Sequence, residues 1–207
     1  MRSLAVVFDW GGVLMRTEDY TPRFSWDDKL GLARGSVELV VHGSAAWRLA
    51  QQGKITLDAY WDRVGGELNL TPDQLSRLRV DFYSGDRLDR SLVDLIRKMR
   101  KRGLLVGLLS NYTVDLAEIV TGVGLGGLFD AQMISAEIGI VKPDPAAYEA
   151  VLAELSVEPR DAFFVDDFDE NVKSAQSLGI SAVQFAPGLD LESLINSWIG
   201  EKVNAVT

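Results

Sequence analysis

Acidic, hydroxyl and lysine side chains recur at the ends of apolar runs in this chain, and those positions set the first question. Asp9 closes the run "VVFDWGGVL" and is followed at once by Trp10, Gly11 and Gly12. Ser110 and Asn111 close "LLVGLLSN". Lys142 stands in "GIVKPDPAAY". Asp166 and Asp167 close "AFFVDD", with Asn171 four residues beyond Asp167. A carboxylate at a buried strand tip is a candidate nucleophile. A hydroxyl and a lysine bind or neutralise an anion, and adjacent acids repel unless a cation compensates them. Mg²⁺, a hard ion that takes oxygen ligands, is the simplest compensation for Asp9 beside Asp167. Each residue also has a plain alternative: Asp9 as a turn cap, Ser110-Asn111 as a helix cap, Lys142 as a solvated loop lysine, and Asp166-Asp167 as acids favoured at a helix start. Their common position is what argues for a site.

The elements that would bring them together follow from periodicity. Residues 4–8, 104–110, 131–135, 162–165 and 181–185 read as short buried strands. They alternate with amphipathic helices at 87–102, 115–120, 145–155, 170–178 and 191–199. Such alternation predicts an α/β fold: a parallel, Rossmann-like sheet with helices on both faces. In such sheets ligands bind beyond the carboxyl ends of the strands, where all four polar groups fall. From about Arg16 to Gly85 the signals are helical only. Ser44 and Thr56 are candidate N-caps, and Thr71-Pro72-Asp73-Gln74 reads as a capping box with Pro at the first helical position. The expected organisation is a core of residues 1–15 and 88–207 with an all-helical cap of residues 16–87.

The 207 residues carry a formal net charge of −9 and no cysteine. That balance argues against nucleic acid or an anionic membrane as main partner. It removes disulfide, thiol and cysteine-metal chemistry. No apolar run approaches the ~20 residues of a membrane span, and the first residues do not read as a signal peptide. A cytoplasmic protein, monomeric or homodimeric, is the expectation.

Taken in order, "VVFDWGGVL", "GLLSNYT", "GIVKPDPAAY" and "FFVDDFDENVKSAQSLGI" resemble the motifs of the haloacid dehalogenase-like hydrolase superfamily. The similarity is greatest to the branch with the phosphatase domain of soluble epoxide hydrolases and the sugar-1-phosphate phosphatases. The resemblance implies a Rossmann-like core with a helical cap after the first strand, and Mg²⁺-dependent hydrolysis of a small phosphomonoester. It implies Asp9 as the nucleophile that forms an aspartyl-phosphate, with Asp9, the Gly11 carbonyl and Asp167 holding Mg²⁺. Ser110 and the Asn111 backbone N–H would bind phosphate, and Lys142 would neutralise the transferring phosphoryl group. Asp167 is chosen over Asp166 because Asn171 then matches the family's acid-plus-four spacing; Asp166 and Asn171 are possible further site residues. Trp10 is a candidate pocket residue.

The chain departs from the family's pattern at one position. Most phosphatases of the superfamily carry a second Asp two residues after the nucleophile, as general acid and base. Here that position is Gly11. Good leaving groups, a substitute acid (Glu18, Asp19 or Asp166), or a slow or inactive enzyme would each be consistent. Rival readings are a metal-independent 2-haloacid dehalogenase, which needs no acid, a signalling receiver domain, whose residue order differs, and a non-catalytic binding or regulatory protein. His42, the only histidine, is at most a substrate contact. Trp47, Tyr60 and Trp61 read as cap core, and "GVGLGG" (122–127) as a connection.

Overall fold

The computed structural model describes residues 3–204; the outermost residues of the expected core, 1–2 and 205–207, lie outside them. In chain order the elements are β1 (Ala5–Phe8), β2 (Met15–Thr17), α1 (Thr21–Leu30), α2 (Ser36–Gly43), α3 (Ala45–Gln51), α4 (Leu57–Glu67) and α5 (Pro72–Tyr83). Then follow β3 (Asp86–Leu88), α6 (Arg90–Lys101), β4 (Leu105–Ser110), α7 (Leu116–Gly122), β5 (Ala131–Ile134), α8 (Ser135–Ile138) and α9 (Pro145–Leu155). The chain continues through β6 (Ala162–Asp166), α10 (Asp169–Ser177), β7 (Ser181–Gln184) and α11 (Leu191–Asn204). No described helix is long and apolar enough to cross a membrane.

The five-stranded sheet has the order β5-β4-β1-β6-β7, and all of its pairings are parallel. Alternation along each strand sends side chains to opposite faces. Val6, Phe8, Val106, Leu108, Phe163 and Val165 pack with Ile96 and Met99 of α6 and with Ile195 and Trp198 of α11. Ala5, Val7, Leu109 and Phe164 pack on the other face with Tyr148, Val151 and Leu155 of α9. β1 is the central strand. Phe8 pairs with Leu108 on one side and Val165 on the other, so the next residue on each strand comes to the same sheet edge. This register sets Asp9 between the ends of β4 and β6.

Helices α1 to α5 build their own apolar cluster, with Trp26, Val41, Trp47, Tyr60, Trp61, Leu78 and Phe82 buried. Ser44, Thr56 and Thr71 accept from the backbone N–H groups of Trp47, Ala59 and Gln74, and the Gln74 side chain returns the bond to Thr71. The segment from Arg16 to Gly85 is not wholly helical at its margins. β2 and β3 form a two-stranded antiparallel ribbon, Met15 to Leu88 and Thr17 to Asp86, through which the chain enters and leaves the helices. Three-residue strands of sequence MRT and DRL carry too little alternation to be read beforehand.

Candidate active site

Asp9 is buried at the tip of β1. Its backbone N–H donates to the Val165 carbonyl at 2.9 Å, and its carboxylate accepts from the Trp10 N–H at 2.7 Å. Lys142 reaches it from the loop between α8 and α9. Its ammonium lies 3.0 Å from Asp9 Oδ1 and 2.6 Å from Asp166 Oδ2, and donates to the Leu109 carbonyl at 2.9 Å. Asp166, fully buried, also accepts from the Phe168 N–H and the Asn171 side chain. Asn171 therefore serves Asp166 rather than Asp167, and Asp166 is committed to holding Lys142. That commitment leaves it poorly placed to act as a substitute acid.

Asn111 plays a part its sequence position does not announce. Its side-chain amide donates to the Lys142 carbonyl and accepts from the Lys142 N–H, both at 2.8 Å. This two-bond clamp fixes the lysine loop against the end of β4. Gln51 at the end of α3 donates to the Asn111 carbonyl at 2.7 Å, tying the helical segment to the same turn. Ser110 is buried at the end of β4, and its hydroxyl favours the charged form of Asp9.

Oxygens of Asp9, Asp166 and Asp167 lie within 4.8 Å of one another. Three carboxylates face one ammonium, and the cost appears in the acidity of Asp9 and Asp167. Burial pushes the Asp9 carboxyl up to about 6; Lys142 pulls it down and Asp166 pushes it further up. Burial also pushes Asp167 up to about 6, reinforced by Asp9 and then Asp166. Lys142 is held above its ordinary value: burial works against its charge, but the two acids outweigh burial. Asp167 Oδ1 is buried without a hydrogen-bond partner, an expensive arrangement for a charged oxygen. A cation would compensate that oxygen, and an all-oxygen set could hold Mg²⁺.

The two glycines after Asp9 differ. At Gly12, φ is +74°, and a Cβ would stand 2.0 Å from Asp167 Oδ2. Only glycine fits there, because Asp167 rests on its backbone. At Gly11 nothing lies within 4 Å of the Cβ position. Gly12→Ala is therefore expected to cost at least about 1–2 kcal/mol from the left-handed backbone alone and to displace Asp167, while Gly11→Ala stays within about 0.5 kcal/mol of wild type. Urea melts of the two variants check this.

A cleft of about 730 Å³ opens over these groups. Its floor holds Asp9, Trp10, Ser110, Asn111, Lys142 and Asp167; its roof holds Arg23, Glu38, His42, Trp47 and Tyr83 from the helical segment. Glu18 and Asp19 are exposed, and the Asp19 carboxylate accepts from the Thr21 N–H at the start of α1. Tyr60 and Trp61 are buried among the helices, whereas Trp47 also reaches the cleft.

A parallel, Rossmann-like sheet thus sets a buried carboxylate at its central strand tip against a lysine and two further acids, the arrangement expected of the hydrolases that the strand-end motifs resemble. The family comparison agrees: the model for haloacid dehalogenase-like hydrolases matches residues 4–179, and the chain belongs to that family. A sesquiterpene phosphatase of Aspergillus oryzae is 27% identical over 187 residues, 89% of this chain and 91% of its own. A phosphoserine phosphatase of Thermus thermophilus is 38% identical over 150 residues, 70% of this chain and 58% of its own length. A haloacid dehalogenase-family enzyme of Bacteroides thetaiotaomicron, solved with magnesium and inorganic phosphate, superposes with a TM-score of 0.77 at 24% identity, covering 93% of this chain and 98% of that one.

Proposed function

We propose that the protein is a Mg²⁺-dependent phosphatase of a small phosphomonoester, acting through an aspartyl-phosphate on Asp9. The observation that carries this reading is the charge deficit: three clustered carboxylates, one of them with an orphaned oxygen, against a single ammonium. A phosphate dianion approaches such a cluster only with a cation present. A 2-haloacid dehalogenase needs no cation, and its carboxylate substrate would be repelled. The names of the two relatives support the phosphatase reading.

Asp9, Asp167 and the Gly11 carbonyl would hold Mg²⁺, which when bound supplies charge neutralisation between nucleophile and phosphate. Asp9 attacks phosphorus, and the bond to the leaving oxygen breaks. Lys142, oriented by Asp166 and by the Asn111 clamp, faces the charge that develops. Ser110 and the Asn111 N–H would bind phosphate oxygens. Water then attacks the acyl phosphate and regenerates Asp9. Residues 16–87 act as the cap that closes the cleft, with Trp10 shaping the pocket below it. Acid quench during turnover, followed by peptide mass analysis, tests the intermediate: phosphate is expected on the peptide that holds Asp9.

The raised carboxyls give a pH signature. A carboxyl raised from 3.8 to about 6 by folding holds its proton longer in the native state. Its contribution to stability is present below pH ~4 and is lost as pH rises through ~6. The metal-free protein is thus expected to melt higher at pH 5 than at pH 7.5, and Asp167→Asn to recover about 1 kcal/mol at pH 7.5 after solvent screening. Mg²⁺ should raise the wild-type melting temperature at pH 7.5, with little effect at pH 5 or on Asp167→Asn. Calorimetry with Mg²⁺ and with chelator reads both.

A further inference from the structure

The bare position at Gly11 offers no carboxyl group to protonate a leaving oxygen. The roof of the cleft holds an imidazole. His42 on α2 lines the same cleft with 28% of its side chain exposed. Its Nδ1 lies 3.0 Å from Glu38 Oε1, one turn earlier on the helix. Its Nε2 lies 3.3 Å from the Tyr83 phenol oxygen. The ring is fixed between Trp47 and Phe82, with centroids at 4.8 and 5.0 Å.

Glu38 is itself anchored. The buried Arg23 guanidinium ion-pairs with Glu38 and Asp86, and its Nε donates to the Phe82 carbonyl. Burial raises the Glu38 carboxyl, but His42 and then Arg23 outweigh burial and hold it below its ordinary value. A carboxylate on Nδ1 makes that nitrogen the N–H end of the ring and fixes the ring's orientation. Tyr83 lines the cleft together with Tyr112, two residues beyond Ser110, and Trp47 meets the Tyr112 ring edge-on with centroids 5.6 Å apart. The array thus runs from the helical segment to the loop next to the candidate phosphate site. An oriented imidazole of this kind is more than ring packing requires.

We propose that His42, oriented by Glu38, gives the departing oxygen the proton that a carboxyl group at position 11 would otherwise supply. This rests on the phosphatase reading above. As Asp9 attacks phosphorus and the bond to the leaving oxygen breaks, the imidazolium Nε2–H passes its proton to that oxygen, and the alcohol leaves neutral. Nε2 then takes a proton from the water that attacks the aspartyl-phosphate, and the original state returns. Tyr83, the present neighbour of Nε2, yields its place to the substrate oxygen.

The test compares three esters of similar shape and different leaving ability: phenyl, 4-nitrophenyl and 2,4-dinitrophenyl phosphate. For each, kcat/KM is measured with Mg²⁺ for wild type, His42→Gln and Asp9→Asn. His42→Gln is expected to lose about 10²-fold on phenyl phosphate, in the range of general acid catalysis, and under about threefold on the dinitrophenyl ester. Glu38→Gln should show the same gradient more weakly. An equal loss on all three esters, or none, overturns the proposal, since a purely structural role would not track the leaving group. Phosphate release by wild type from the activated esters alone also overturns it. Wild type silent on every ester would instead remove the phosphatase reading beneath it.

Discussion

Asp9→Asn is expected to lower phosphate release by about 10⁴-fold or more, the scale seen when a nucleophile is removed from a covalent mechanism. The amide keeps the shape and can still accept from the Trp10 N–H, so the fold should survive. At pH 7.5 the metal-free variant should melt no lower than wild type, because a carboxyl that burial pushes up to about 6 is costly to ionise there. Loss of turnover with retained stability separates a chemical role from a structural one. Steady-state phosphate release beside a thermal melt reads both quantities.

Lys142→Met carries the second large effect, and it falls on stability as well as rate. The ammonium is buried and bridges Asp9 and Asp166. Removing one partner of a buried ion pair costs about 3–5 kcal/mol, because the remaining charges are left uncompensated. The rate should fall by about 10²–10³-fold through loss of transition-state neutralisation. Adding Asp166→Asn should restore part of the stability and none of the rate. A double-mutant cycle on urea melts measures that coupling; additivity of the two changes would show that Asp166 does not hold Lys142.

The polar strand tips were legible because register in a parallel sheet is simple. Val6–Phe8, Val106–Leu108 and Phe163–Val165 pair in register, so Asp9 and Asp166 reach the same edge at one level and Ser110 reaches it one residue beyond Leu109. Capping at Ser44, Thr56 and Thr71 was legible because a cap is a local bond. The Asn111 clamp on Lys142 spans 31 residues, and no local pattern encodes a partner at that distance. The same holds for Gln51 on Asn111. The Asn171 spacing served to select Asp167 from the acid pair, but it did not announce that the turn of α10 delivers the Asn171 amide to Asp166. The glycine pair also needed three dimensions, since only the resting place of Asp167 separates the obligatory Gly12 from the open Gly11.

The charge deficit around Asp9 is expected to make turnover depend on a cation, and a paired assay reads that dependence. Purified protein is given an aryl phosphate and 2-chloropropionate, each with Mg²⁺ and with chelator, and phosphate and chloride release are followed. Phosphate release that disappears with chelator, without chloride release under either condition, is the expected result. Chloride release undiminished by chelator would contradict the account and assign Asp9 to displacement at carbon.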